Sequence, residues 1–236
     1  MSPLIFFIKK VIYMYKTKEL YNLEKSLAGE YLSQFEYPWQ ALSGIKELIL
    51  SLGKELSKNE YNEISENVWV HKSVKIAPTA YIGAPCIIGK DTEVRQCAFI
   101  RSAALIGEGC VIGNSTEVKN AIIFDSVQVP HFNYVGDSIL GYKSHLGAGA
   151  VTSNVKSDRS LVTVKTADGR IETGRKKFGA MVGDNVEVGC NSVLNPGTVI
   201  GRNSNIYPLS SVRGSVPENS IFKNQSTIVI KENCNG

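Results

Sequence analysis

The chain has 236 residues, 43% hydrophobic and 20% charged, which is enough for one good core and a small appendage. A formal charge of +4 is mild and gives no argument for a nucleic-acid partner. Five cysteines without a CxxC pair argue against a disulfide framework or a zinc ribbon, and read as reduced core residues of a cytoplasmic protein.

In chain order, PLIFFIKKVIYMY comes first: apolar, broken by two lysines, too short to span a bilayer, and not followed by a small-residue cleavage site. It reads as soluble, with a peripheral amphipathic anchor over residues 1–15 as the alternative. From about 17 to 57 the periodicity is helical, on Leu20, Leu23 and Leu27, then Trp39, Leu42, Ile45, Leu48, Ile49 and Leu52. Pro38 suits a first helical turn. A repeat protein needs a covered end, so residues 1–66 are expected to form a small α-helical cap over the first coil.

From Val68 onward an aliphatic residue recurs every six: Val70, Ile76, Ile82, Ile88, Val94, Ile100, Ile106, Ile112 and Val118. Four places after each stands a small or compact residue, as at Cys86, Thr92, Ala98, Ala104, Cys110 and Thr116. Two positions per hexad therefore face a narrow interior, and this period predicts an all-β solenoid, a parallel β-helix over 67–236. The beat continues through Ile123, Val129, Val135, Leu140 and Leu146 with two steps shortened to five, which predicts local bulges on either side of the His131 segment. After Thr152 it stops. LVTVKTADGRIETGR alternates on both sides of Asp168-Gly169 and predicts a β-hairpin inside an excursion over about 153–179. That excursion is basic, with Lys156, Arg159, Lys165, Arg170, Arg175, Lys176 and Lys177. The beat returns on Val182, Val188, Leu194, Ile200, Ile206 and Val212 and is expected to end near Val216-Pro217, with Ile228 to Ile230 as a candidate last strand.

The periodicity resembles that of the left-handed β-helix acyltransferases, and the resemblance, not the spacing, implies left-handedness and three hexads per coil. Given three hexads, residues eighteen apart stack, as Arg101 and Lys119 are. Stacked strands lie about 4.8 Å apart, so an anion shared between these cations would relieve their repulsion. A phosphate suits them, Arg as a fork and Lys as a point charge. The alternatives are that both point into solvent, or that Glu117 neutralises them. His131, after Pro130, carries the side chain best suited to remove a proton near neutral pH, although an isolated histidine is more often structural.

The segment VPHFNYVGDSILGYKSHLGAGAVTSN, with GNSTEVKNA before it, resembles the acetyltransferase domain of bifunctional N-acetylglucosamine-1-phosphate uridylyltransferase/glucosamine-1-phosphate acetyltransferases. With SDRSLVTV and GRKKFGAMVGDNVEVG it is similar to the C-terminal domain of archaeal sugar-1-phosphate nucleotidylyltransferases that acetylate amino sugars. The resemblance implies an acetyl-CoA-dependent N-acetyltransferase on an amino-sugar 1-phosphate, with His131 as general base, Arg101 and Lys119 on the sugar phosphate, Tyr134 on the substrate and Asn154 holding the sugar near the thioester. It implies coenzyme contacts at Gly147, Ala148, Cys190 and Pro208. Val155 stands where the bacterial enzymes have tyrosine and keeps a backbone N–H for the developing oxyanion. His145 stands where they have a sugar-binding asparagine, and the basic loop ligand stays open among Lys156, Arg159 and their neighbours.

The same resemblance implies a homotrimer with sites between adjacent subunits and no metal in acetyl transfer, while the mild charge and the short, lysine-broken apolar start lead to no expectation of a nucleic-acid or membrane partner. No glycine-rich nucleotide loop precedes the repeat, so a nucleotidylyltransferase domain is not expected here. Two other readings remain. One is a non-catalytic sugar-phosphate binder. The other is a γ-carbonic-anhydrase-like zinc enzyme using His71, His131 and His145, whose spacings of sixty and fourteen do not resemble that family's.

Overall fold

The computed structural model describes residues 14–166, 169–224 and 226–231. Residues 1–13, most of the candidate anchor, and Asp168 of the expected turn lie outside them. A chain with two inward positions in every hexad can bury them only by stacking coil on coil, and it forms a parallel β-solenoid with three walls. The first wall stacks eight strands: Val68–His71, Cys86–Ile88, Phe99–Ile106, Glu117–Ile123, Tyr134–Leu140, Ala180–Val182, Thr198–Ile200 and Ser215–Val216. The second runs from Lys75–Ile76 through Val111–Asn114, Gln128–His131 and His145–Leu146 to Ser220–Asn224. The third comprises Tyr81–Ile82, the leading halves of the three long first-wall strands, then Val151–Thr152, Val193–Leu194 and Ser211–Val212.

Ile88 pairs with Ile106, Ile106 with Ile123, and Ile123 with Leu140. The two shortened steps thus contract successive coils without moving any aliphatic residue off the interior. From Cys86 onward both series read from the sequence are buried, including Ile100, Ile112 and Val118 with Thr92, Ala98 and Thr116. Buried threonine hydroxyls are satisfied locally, as where Thr92 Oγ1 donates to the Gly107 carbonyl at 2.8 Å and Thr116 Oγ1 to that of Val129 at 3.0 Å, while the buried Ser144 hydroxyl has no partner among the described residues. Burial pushes the Cys110 thiol up to about 12 and that of Cys86 higher still, so both are inert core residues.

The helical segment does not sit over the first coil. On the first wall the outward position is apolar as well, occupied by Ile87, Leu105, Ile122, Ile139, Met181 and Val199, and all six are buried. Burying such a side chain contributes about 1.5–3 kcal/mol, so a flank with one per coil outweighs an open end. The N-terminal segment, with helical turns at Thr17–Leu20, Gly29–Ser33, Pro38–Ser43 and Ile45–Glu55, runs down that flank. The Glu218 N–H donates to the Tyr15 hydroxyl at 2.6 Å, and the Asn22 N–H to Asp184 at 2.6 Å. Further down, Tyr21 stacks on Phe124 at 5.1 Å, Trp39 lies 5.8 Å from Phe178, and Gly53 meets the Trp69 ring so closely that a Cβ would be 2.3 Å from it. At the first coil Ile76 stays 38% exposed.

The solenoid also runs past Pro217. Ser220–Asn224 pairs in parallel with Asn205–Ile206, and Thr227–Ile230 folds back antiparallel. The excursion holds the expected hairpin, Val162–Thr166 against Gly169–Arg175, with Val162 and Val164 turned into the core. Among the described residues no helix is long and apolar enough to cross a membrane.

Candidate active site

The three long strands Phe99–Ile106, Glu117–Ile123 and Tyr134–Leu140 bend through one edge of the solenoid, where the third wall turns into the first. Arg101 and Lys119 both lie there, but not in register. Ile100 pairs with Val118 and Ser102 with Lys119, leaving Arg101 as the bulged extra residue. The later coil is one residue shorter at this corner, so the expected stack of two cations eighteen apart is offset by one. Each has its own carboxylate. Arg101 donates to Glu117 at 2.9 Å, which holds the guanidinium above its ordinary range, and Lys119 Nζ lies 3.2 Å from Asp137.

Asp137 is the hub of this edge. Its buried carboxylate accepts from Asn120 Nδ2 at 2.8 Å, from Asn154 Nδ2 at 2.6 Å and from Lys119. Asn154 Nδ2 also donates to the Tyr134 hydroxyl at 3.1 Å. Burial, with Asp137 and Glu117 nearby, raises the Tyr134 phenol. Gly136 makes this approach possible, because a Cβ there would lie 2.4 Å from the Tyr134 hydroxyl. Asn120 and Asp137 both adopt positive φ, 47° and 48°, a region in which Asn and Asp are enriched. Arg175, at the end of the returning hairpin strand, is half-buried with an Nε that has no partner among the described residues, and burial pushes its guanidinium down while Asp137 opposes the shift. The sequence alone gives Asn120 no role, places Arg175 only among the basic residues of the excursion, and gives Asp137 no role beyond membership of a motif.

His131 lies on a different edge, where the second wall turns into the third. Its carbonyl accepts from the Gly149 N–H at 3.0 Å, that of Ala148 from Asn191 at 2.8 Å, and that of Cys190 from Leu209 at 2.9 Å. His131, Ala148, Cys190 and Pro208 therefore follow one another up a single column, with Gly147 at its side. At Gly147 a Cβ would lie 2.8 Å from the Cys190 nitrogen and 3.0 Å from its sulfur, so this track admits only small groups. Buried Asn133 fixes the corner: it accepts from the His131 N–H at 3.1 Å and donates to the carbonyls of Gly147 and Ala150 at 2.9 and 3.0 Å. The His131 imidazole is exposed and makes no hydrogen bond among the described residues. Within one chain the strand start Tyr134-Val135 separates it from the Asp137 edge, so a single copy does not bring the imidazole to Arg101 and Lys119.

The remaining candidates scatter. His145 is on the second wall, with Nδ1 2.7 Å from Glu187. Lys156 folds onto Ser160 at 2.5 Å and Asp158 at 3.7 Å, and Arg159 is exposed in the following turn. Val155 follows Asn154 with its side chain largely exposed. His71 sits in the first coil against Tyr61 and Ser73. Among the described residues no group of three His, Cys, Asp or Glu side chains is placed to hold a metal.

Comparison with known proteins agrees with the repeat. A model of the GMPPB C-terminal domain matches residues 84–174, and one of the bacterial transferase hexapeptide (six repeats) matches residues 179–214. The bifunctional protein GlmU of Methanococcus vannielii is 32% identical over 245 residues, covering 95% of this chain and 53% of that protein. A bifunctional sugar-1-phosphate nucleotidylyltransferase/acetyltransferase of Sulfurisphaera tokodaii is 36% identical over 103 residues, covering 44% of this chain and 26% of that protein. GlmU of Methanococcus maripaludis is 30% identical over 205 residues, 86% of this chain and 50% of that protein. The chain spans about half the length of the GlmU relatives that it matches along most of its own. With eight coils in hexad register and both models matching along them, the chain is a hexapeptide-repeat β-solenoid by fold and is similar to the C-terminal half of the GlmU relatives.

Proposed function

We propose that the chain is an acetyl-CoA-dependent N-acetyltransferase acting on an amino-sugar 1-phosphate of the glucosamine 1-phosphate kind. The observation that carries this reading is the pairing of two edges: an exposed imidazole at the foot of a narrow small-residue track, and a corner where Asp137 orders Lys119, Asn154 and Tyr134. His131 takes a proton from the ammonium form of the amino group, freeing the nitrogen lone pair. The nitrogen attacks the thioester carbonyl, the C–N bond forms and the C–S bond breaks, and the thiolate leaves and is protonated. Val155 offers a backbone N–H to the transient oxyanion, and Gly147, Ala148, Cys190 and Pro208 leave room for the coenzyme's arm.

Since the two edges are apart in one chain, the site is completed between copies, the His131 edge of one facing the Asp137 edge of the next. A homotrimer closes such head-to-tail contacts. Arg101 and Lys119 take the sugar phosphate by exchanging Glu117 and Asp137 for it. The name of the Sulfurisphaera tokodaii relative, which joins sugar-1-phosphate nucleotidylyl transfer with acetyl transfer, supports the substrate class. The test is thiol release from acetyl-CoA across a panel of amino-sugar 1-phosphates. Release with at least one of them is expected, and none with any would overturn the reading.

A further inference from the structure

Further along the edge that carries Asp137, basic side chains gather where the excursion leans back on the solenoid. A cleft of about 370 Å³ opens there beside Val155, lined by Lys156, Lys165, Arg170, Asn195 and Arg213, with Asp158 to one side. Asp158 is engaged already, by Lys156 at 3.7 Å and by Ser160. Lys165 and Arg170 are direct partners across the hairpin. Cross-strand partners hold their Cβ atoms about 4.5–5.5 Å apart, and like charges so placed repel. Neither side chain makes a hydrogen bond or ion pair among the described residues. Arg213 comes from the solenoid corner on the opposite side. The hairpin is docked there, with Lys165 Cβ 3.4 Å from the position of a Cβ on Gly214 and the Ser215 hydroxyl donating to the Lys165 carbonyl at 3.4 Å.

Three cations from two elements therefore converge on one space, and its carboxylate is committed elsewhere. We propose that this cleft is an anion site that takes a phosphate monoester. A dianion offers several oxygens to two guanidinium forks and an ammonium at once. The cleft is of small-molecule size, so the phosphate arrives as one end of a larger ligand. That ligand is the phosphorylated nucleotide end of the coenzyme, or the sugar phosphate itself, which would then lie here and not on Arg101 and Lys119. Only this pair of sources rests on the acetyltransferase reading.

Isothermal titration of the full chain with adenosine 3′,5′-bisphosphate and, separately, with glucosamine 1-phosphate tests the site. Arg170→Gln and Arg213→Gln should each weaken the same one of the two ligands by about ten- to a hundredfold, the worth of a charged hydrogen bond. Whichever ligand responds is the source. Lys75→Gln removes the same charge from the second wall at the far end and should change neither. The proposal is overturned if wild type binds neither ligand, if both arginine variants bind as wild type does, or if Lys75→Gln weakens binding equally. Absent thiol release with binding intact would sink the acetyltransferase reading and leave the cleft standing.

Discussion

The side-chain amide of Asn154 is held by Asp137 at 2.6 Å, and its second hydrogen reaches the Tyr134 hydroxyl at 3.1 Å. A carboxylate only accepts, so the NH2 must face Asp137, which fixes the flip of the amide. Asn154 Oδ1, which no described residue uses, is then the atom presented to a ligand, as an acceptor for an amine or hydroxyl hydrogen. Asp137→Asn keeps the shape but sets NH2 against NH2 and leaves Lys119 without its partner. Turnover per site is expected to fall by about ten- to a hundredfold, the scale of a charged hydrogen bond. Because Asp137 acts through Asn154, the loss should not add to that of Asn154→Ala in the double variant. Additive losses would separate the two residues.

His131→Ala should lower kcat by about two to four orders of magnitude, the usual scale for a general base. The ring is exposed and unbonded, so the melting temperature should stay where it is. Turnover equal to wild type would remove His131 from the chemistry.

A shared site makes a separate prediction, since the imidazole and Asn154 stand on different edges of one chain. His131→Ala and Asn154→Ala, each impaired alone, should gain activity when unfolded together and refolded as mixed rings. Roughly a quarter of the sites would then be intact under random assembly. No recovery, with trimers confirmed by sedimentation, would place the whole site in one copy.

Arg101 and Lys119 should separate in stability while agreeing in substrate binding. The Arg101–Glu117 pair lies at the surface, where solvent screens it, so Arg101→Ala should leave stability nearly unchanged and mainly raise KM for the phosphorylated amine. Lys119 partners the buried Asp137, and Lys119→Ala should lower thermal stability as well as raise KM. Wild type should use unphosphorylated glucosamine poorly; equal use of both amines would defeat the phosphate assignment.

How far the chain could be read without coordinates depends on which contacts are periodic. The walls, the inward series and the contracted coils were legible because each coil repeats the same local constraint. The stack of Arg101 on Lys119 was misjudged because the step from Val118 to Ile123, itself noted as short, removes a residue at the corner where both sit. Counted with that contraction, the stacked pair is Asn120 and Asp137, seventeen apart. The path of the helical segment had a signal too. In Cys86–Ile88, Ala104-Leu105-Ile106, Ala121-Ile122-Ile123 and Ser138-Ile139-Leu140 an apolar residue precedes the inward aliphatic once per coil. That marks a wall buried on both faces. Arg175 left no such trace, because its position depends on how the hairpin returns.

Trp39 tests whether that flank matters to the site. It is buried between Tyr37, stacked at 4.7 Å, and Phe178 at 5.8 Å. Phe178 donates its N–H to the Asn154 carbonyl at 2.9 Å, and the nearby Leu42 carbonyl accepts from Asn120 at 3.3 Å. Trp39→Ala opens a cavity and should cost about 3–5 kcal/mol on chemical denaturation. Two links run from this cluster to Asn120 and Asn154, so KM for the sugar phosphate should rise even at temperatures where the variant is fully folded. Trp39→Phe refills much of the space and should recover most of the affinity. A variant that loses stability yet keeps wild-type KM would confine the helical segment to covering the wall.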